Sequence, residues 1–338
     1  MKRFLSAVLL LSCAAIAHAQ LEASTAELTG TRPNAGGEPE QITMRLGLLD
    51  ITEIDDRKQV FMADLFIEIQ WRDRRLAQSG NEDVQLRTVP LDEIWHPRLT
   101  VINDRGLDYL LPMVATVESD GLVNVRQRLA GPLAVDLELR DFPFDTQRLS
   151  IEIVSYQYTP SEIAFSEASE LVVGLDAFDG AGWTYSALEP EPFEYTLRDG
   201  GRGGSGFVFA VMAEREAAYY IFTLAIPMTL ILFLSWMVHW LPVDVIPARI
   251  GTASATVFSL IAFGVSFRLT LPKIAYLTDA DRFVLYSTLL VLVSLAITVA
   301  TIRWASTDRK DTAERATRRA RVAFPLLYGL IVLLTFST

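Results

Sequence analysis

The sequence predicts an all-β exported sandwich of immunoglobulin-like size, followed by an all-α membrane domain of four helices. Three observations carry this expectation: residues 41–213 alternate apolar and polar side chains between turns, four apolar segments of membrane-spanning length follow, and charge is divided unevenly between the two parts. From Gln20 to Ala213 there are 33 acidic and 16 basic side chains, a net of −17; from Glu214 to the end there are 8 acidic and 12 basic, a net of +4. A hydrophobic content of 51% over 338 residues is too high for an average soluble protein, and it fits an acidic aqueous domain joined to an apolar one.

The chain opens with "MKRFLSAVLLLSCAAIAHAQ", a basic start, an apolar middle and the small-x-small step Ala17-His18-Ala19. This reads as a signal peptide over 1–19, with the mature chain starting outside the cytoplasm at Gln20. "LLSC" can also be read as a lipoprotein box, although Leu11 fits one poorly. Cys13 is the single cysteine, so no disulfide is expected in the mature domain. Beyond the leader only His96 and His239 are histidines, which argues against zinc sites and histidine-based triads. The acidic domain argues against nucleic-acid binding.

Residues 20–40 are rich in Gly, Pro, Glu and Thr and have no apolar period, so they are expected to form a linker or loose arm. The sandwich should occupy 41–213. In "VFMADLFIEIQWRD" the odd positions Phe61, Ala63, Leu65, Ile67, Ile69 and Trp71 are apolar, with Asp64, Glu68 and Gln70 between them. That is a half-buried strand. The alternation returns at Leu133, Val135, Leu137 and Leu139, and at Leu149, Ile151 and Ile153. "ESDG", "RDFPFD" and "RDGGRGGSG" supply turns.

From 214 the pattern changes. Spans are expected at about 219–240, 246–267, 283–304 and 320–336. The fourth is short and carries Pro325, and taken alone it could lie in the interface. With the sandwich outside, the connection Arg303 to Arg321 falls inside and holds seven Lys/Arg, in line with the positive-inside rule.

Several motifs then occur in order: "WRDRRL" from Trp71, "IWHPRLTVIN" from Ile94, "LRDFPFDTQ" with Phe142, Pro143, Asp145 and Gln147, "SYQYT" from Ser155, "EREAAYYIFTLAIPMTLILFLSW" with Arg215, and "PARIG" and "LPK" bracketing the second span. In these the chain resembles the pentameric ligand-gated ion channels, the Cys-loop receptor superfamily, from about Ile42 to the C-terminus. The two loop cysteines of animal receptors are replaced by Val135 and Leu149, and the loop before the last span is short. Both features are similar to the bacterial branch. The resemblance implies a homopentamer in a bacterial inner membrane, embedded in lipid, with its N-terminal domain extracellular or periplasmic, no enzymatic activity and permeant inorganic ions.

On the second span, residues three to four apart share a face. Gly251, Ala255, Phe258, Ala262, Val265 or Ser266, and Leu269 form such a stripe, which the resemblance makes the pore lining. Phe258 is its one bulky mid-stripe residue, suited to holding water out of a closed pore. Pro247, Ala248 and Arg249 stand where cation-selective relatives carry Glu and resemble the glycine and GABA receptor pattern. With Arg268 at the outer end they imply anion (chloride) selectivity; cation selectivity is the alternative.

The resemblance places an agonist site between neighbouring sandwiches, formed by Phe66 and Glu68, Arg126, Tyr156 and Tyr158, and Phe193 and Tyr195. Aromatic faces there could hold a cation. Core or surface roles are the competing reading for each of these residues. No cofactor is expected, but the acidic surface offers two further triggers, protonation and a regulatory Ca²⁺, with Glu53, Asp55 and Asp56 as candidates. Coupling to the membrane is expected to use Glu53, Asp55, Asp56, Phe142, Pro143, Asp145, Arg215, Pro272 and Lys273, centred on an Asp145–Arg215 pair. A membrane-anchored sensor that conducts nothing is the competing class of function.

Overall fold

The computed structural model describes residues 29–78, 86–173, 182–196, 203–269 and 274–336. The expected signal peptide, residues 20–28 of the arm, part of the late hairpin tip, Pro272 and Lys273 lie outside them.

The sandwich is built on a long hairpin of β1 (Glu40–Asp55) and β2 (Val60–Arg72). Ile42, Met44, Leu46 and Leu48 on β1, and Phe61, Ala63, Leu65, Ile67 and Trp71 on β2, point inward and are buried. The period of two in the sequence thus fixes which face becomes core. Asp55 closes the turn by accepting from the backbone N–H of Arg57 and Lys58 at 3.0 and 2.9 Å.

Eleven further strands follow: β3 (Arg87–Pro90), β4 (Leu99–Val101), β5 (Asp108–Tyr109), β6 (Val114–Val117), β7 (Leu122–Ala134), β8 (Thr146–Ser155), β9 (Ile163–Phe165), β10 (Glu170–Val173), β11 (Trp183–Ala187), β12 (Glu191–Tyr195) and β13 (Gly204–Arg215). One sheet runs β10-β1-β2-β7-β6-β3, with β5 on β7 and β9 on β1; the facing sheet runs β11-β13-β8-β4, with β12 on β13. The pairing is antiparallel except that β9 and β10 lie parallel to β1. They are reached by a crossover from the facing sheet, so no hairpin constrains their direction. Between the sheets Trp95 packs against Trp71 and Tyr158, with ring centroids 5.9 and 5.6 Å apart.

The alternation from Leu133 to Leu139 does not make one strand. β7 ends at Ala134, and Leu137 and Leu139 leave the sandwich for a second core shared with Leu224, Met228, Leu260 and Phe283. The leucines are buried as expected, but under the sandwich, where the chain meets the helices.

Four helices follow: α1 (Ala218–Trp240), α2 (Ile246–Arg268), α3 (Asp279–Ala305) and α4 (Lys310–Phe336), each long and apolar enough to cross a membrane. In α1 a π-type turn, Ile221–Ala225, directly precedes Pro227, whose ring has no N–H to donate. Pro247 sits in the first turn of α2, where proline is tolerated. Thr278 and Asp281 cap α3 reciprocally. α4 begins at Lys310 rather than at Ala320 and continues through Pro325. Ala313, Thr317, Ala320 and Phe324 are its buried stripe, so the charged first half is an amphipathic extension of the span.

Candidate gating interface and pore wall

Arg215, the last residue of β13, stands where the sandwich ends and α1 begins. Its Nε donates to Asp145 Oδ1 at 2.7 Å and its Nη2 to Asp145 Oδ2 at 3.1 Å. Nη2 and Nη1 also donate to Asp56 Oδ1 and Oδ2 at 2.8 and 3.0 Å, and Nη1 reaches the Tyr220 hydroxyl at 3.2 Å. All five donors of the guanidinium are engaged in this way. The cation lies over the rings of Trp183, Phe142 and Tyr220, at 4.1, 4.8 and 5.6 Å. Burial disfavours its charge, but the hydrogen-bonded carboxylates of Asp56 and Asp145 outweigh that and push the guanidinium above its ordinary value. Three chain segments, the β1–β2 turn, the loop before β8 and the start of α1, therefore meet on one cation.

The same loop is plugged into the helices. Phe142 is buried, packing edge-on against Tyr220 at 4.8 Å and against Phe267 at 6.4 Å. The first backbone N–H groups of α3 donate to it: Asp279 to Arg140 O at 2.9 Å and Ala280 to Phe142 O at 3.2 Å. These are helix-start donors that would otherwise lack partners. The N–H of Leu139 donates to the Tyr276 hydroxyl at 3.0 Å. Gln147 holds the loop from above, exchanging hydrogen bonds with the backbone of Glu138 at 3.0 and 2.8 Å and donating to Asp145.

On α2 the stripe Gly251, Ala255, Phe258, Ala262, Val265, Ser266 and Leu269 is exposed along its length within the single subunit; Phe258 is 72% exposed. The opposite face packs inward through Ala253, Thr256 and Leu260. The small residues thus divide between two jobs. Ala253, Thr256 and Gly264 permit close helix packing, the last leaving only 3.2 Å between a would-be Cβ and Val284 Cγ1. Gly251, Ala255 and Ala262 leave the other face open.

The expected selectivity residues separate. Pro247 and Ala248 are exposed. Arg268 is exposed at the far end of α2, with a loose 3.8 Å pairing to Asp281. Arg249 corrects the expectation: it is 0% exposed, its guanidinium turned into the subunit rather than toward the open stripe. The residue follows the inward helical face of Ala253, Thr256 and Leu260, which residue type alone does not reveal.

The expected agonist residues fall into two groups. Glu68 accepts from Asn124 at 2.6 Å and Arg126 Nε at 2.9 Å, and Arg45 is 3.6 Å away. Burial works against its charge, but these donors hold its carboxyl below the usual range. Phe66 lies on the same strand. On the other sheet Tyr156 is 64% exposed, Phe193 rests over Gly206, and Tyr195 pairs with Gly204. Tyr158 is a second correction: it is buried, its hydroxyl accepts from Trp95 Nε1 at 2.8 Å, and it belongs to the core.

Two of the three Ca²⁺ candidates, Asp55 and Asp56, are committed elsewhere, while Glu53 is exposed. Asp55 binds Lys58 Nζ at 2.8 Å besides its turn, and Asp56 binds Arg215. Among the described residues no three His, Cys, Asp or Glu side chains are grouped to hold a metal ion. Sequence reasoning missed Trp183, Tyr220 and Tyr276 as parts of the seam. A pair of tyrosines at the start of a span was the only signal for one of them.

A sandwich hung on a four-helix bundle through a buried arginine, with one helix face left open, defines a ligand-gated channel subunit. Residues 29–185 match the neurotransmitter-gated ion-channel ligand binding domain and residues 224–327 match the neurotransmitter-gated ion-channel transmembrane region; the chain belongs to this family. It is 25% identical over 308 residues to a proton-gated ion channel from Gloeobacter violaceus, covering 90% of this chain and 84% of that one. The protein is therefore a multi-pass membrane channel and not an enzyme.

Proposed function

We propose that the chain is one subunit of an anion-selective homopentamer in which five copies of α2 wall the pore and acidification of the outer side opens it. The observation that carries this reading is the stripe from Gly251 to Leu269, exposed in the subunit and free of carboxylates from end to end. Arg268 adds positive charge at one mouth, and Pro247 and Ala248 leave the other without an acidic ring. Arg249 adds nothing to the pore in this conformation, so selectivity rests on Arg268 and on the missing acids. The burial of Arg249 is also what favours the second reading, a cation-selective pore.

For the trigger, the similarity to a proton-gated channel supports protons. The buried carboxyl of Glu40 is pushed up by burial and by the nearby charge of Asp73, against the pull of the Asn34 N–H, Arg32 and Arg75, and so takes up a proton readily as the pH falls. A Ca²⁺ trigger finds no grouped ligands among the described residues, and a full aromatic box lacks Tyr158. Recording the purified protein in planar bilayers while stepping the outer pH, Ca²⁺ and small amines tests the reading. Current evoked by acid is expected; no conductance under any condition would return the chain to a non-conducting sensor.

A further inference from the structure

At the inner end of the helix bundle, three buried side chains hold hydrogen-bonding atoms with no partner among the described residues. Arg249 is 0% exposed, and its Nε, Nη1 and Nη2 are all unpartnered. His239, 0% exposed in the last turn of α1, uses Nε2 on Ser294 Oγ at 3.0 Å and leaves Nδ1 unpartnered. Thr317 of α4 is 3% exposed, with Oγ1 unpartnered. Arg321 closes the group: its Nε donates to His239 O at 2.9 Å, and its guanidinium lies 4.7 Å from the Trp240 ring centroid. It is near enough to act electrostatically on both Arg249 and His239.

The chemistry of the group is one-sided. Arg249 offers five N–H donors and no acceptor, and a threonine hydroxyl can donate as well. No carboxylate among the described residues pairs with Arg249 or Arg321. A guanidinium taken out of water without a counter-charge is strongly unfavourable. The start of α2, with its own positive dipole end, adds to the imbalance. A neighbouring subunit cannot neutralise Arg249 by contact, because its side chain is enclosed by its own.

We propose that this group binds a small inorganic anion of the chloride class, held between Arg249 and Thr317 with Arg321 behind it. A cleft of about 190 Å³, lined by Pro242, Asp244, Glu314, Thr317, Arg318 and Arg321, shares Thr317 and Arg321 with the group and borders it on the α4 side. Of the two carboxylates on that wall, Asp244 is tied to Lys310 Nζ at 2.6 Å and Glu314 is exposed. A halide fits because the guanidinium lies wholly inside the subunit. A phosphate headgroup tethered to two acyl chains would have to stay at the surface. The site joins the first turn of α2 to α1 and α4, so its occupancy ties the inner end of the pore helix to the outer ring of helices. Binding here does not depend on which ion the pore conducts.

The test uses the full-length channel in nanodiscs of phosphatidylcholine. Its thermal midpoint is measured as sodium gluconate is replaced by sodium chloride or bromide at constant ionic strength. The wild type is expected to gain stability saturably with halide, Thr317→Val to need several-fold more halide, and Arg249→Gln to lose the response. Should Arg249→Gln fail to assemble, bromide anomalous density beside the Arg249 guanidinium in wild-type crystals is the expected result. An unresponsive wild type, an unchanged halide response in Arg249→Gln, or no bromide density at the guanidinium would overturn the site. Stabilisation by inorganic phosphate alone, or only on adding phosphatidylglycerol to the nanodisc, would overturn a halide as its occupant.

Discussion

Arg215 and Asp145 are joined by two hydrogen bonds, of 2.7 and 3.1 Å, inside the seam where the sandwich meets the helices. Their side chains are 3% and 2% exposed, so neither can exchange its partner for water. Removing one member of such a buried pair leaves the other uncompensated, at a cost of about 3–5 kcal/mol. Asp145→Asn and Arg215→Gln are therefore expected to lower the thermal midpoint and to uncouple acid from current even where protein reaches the membrane. Measuring surface protein and evoked current together checks this, and charge reversal at Arg215 with both intact would refute a coupling role.

Tyr158 separates a core role from an agonist-binding one. Tyr158→Phe takes the acceptor from the buried Trp95 N–H, a loss of about 1–3 kcal/mol. The expected outcome is a lower denaturation midpoint with unchanged trigger sensitivity in the channels that survive. A shifted sensitivity at unchanged stability would restore Tyr158 to the binding site.

Phe258 is the bulky residue midway along the open stripe of α2. Replacing five such rings by small polar groups allows water to enter a closed constriction. Phe258→Ser, and more weakly Phe258→Ala, should give standing current without the trigger and a lower trigger requirement. Unchanged basal current in voltage-clamped oocytes counts against the barrier.

His96 gives the sandwich a pH dependence with a definite sign. It borders an apolar cavity of about 100 Å³ between the sheets. Burial first and then the Arg98 charge lower its pKa from 6.5 to about 4, with Asp92 opposing. Below 6.5 the unfolded chain binds a proton that the folded one refuses, so this contribution is present above 6.5 and is lost as the pH falls toward 4. His96→Gln should flatten the decline of the thermal midpoint between those values. An equal slope in mutant and wild type would show that His96 binds its proton at the same pH in the folded and the unfolded chain, and would refute this contribution.

The sandwich and the spans were legible because alternation and apolar length are local properties of sequence. Phe61 to Trp71 and Ile246 to Arg268 behave as their patterns require. Leu137 and Leu139 show where local reading stops: the pattern marks them as buried but cannot say in which core. Arg249 fails for a related reason. Its type and position suited a pore mouth, and only the helix phase set by Ala253, Thr256 and Leu260 turns it inward. Arg215 and Asp145 were legible as a pair through resemblance, whereas Trp183 and Tyr276, which complete the seam, come from segments without any distinctive local pattern.

Reversal potentials under sodium chloride dilution, recorded from the purified wild-type channel in planar bilayers, test the proposed anion pore most directly. The account predicts a shift that follows the chloride equilibrium potential. A shift that follows sodium instead would contradict it and leave the open face of α2 as the wall of a cation pore.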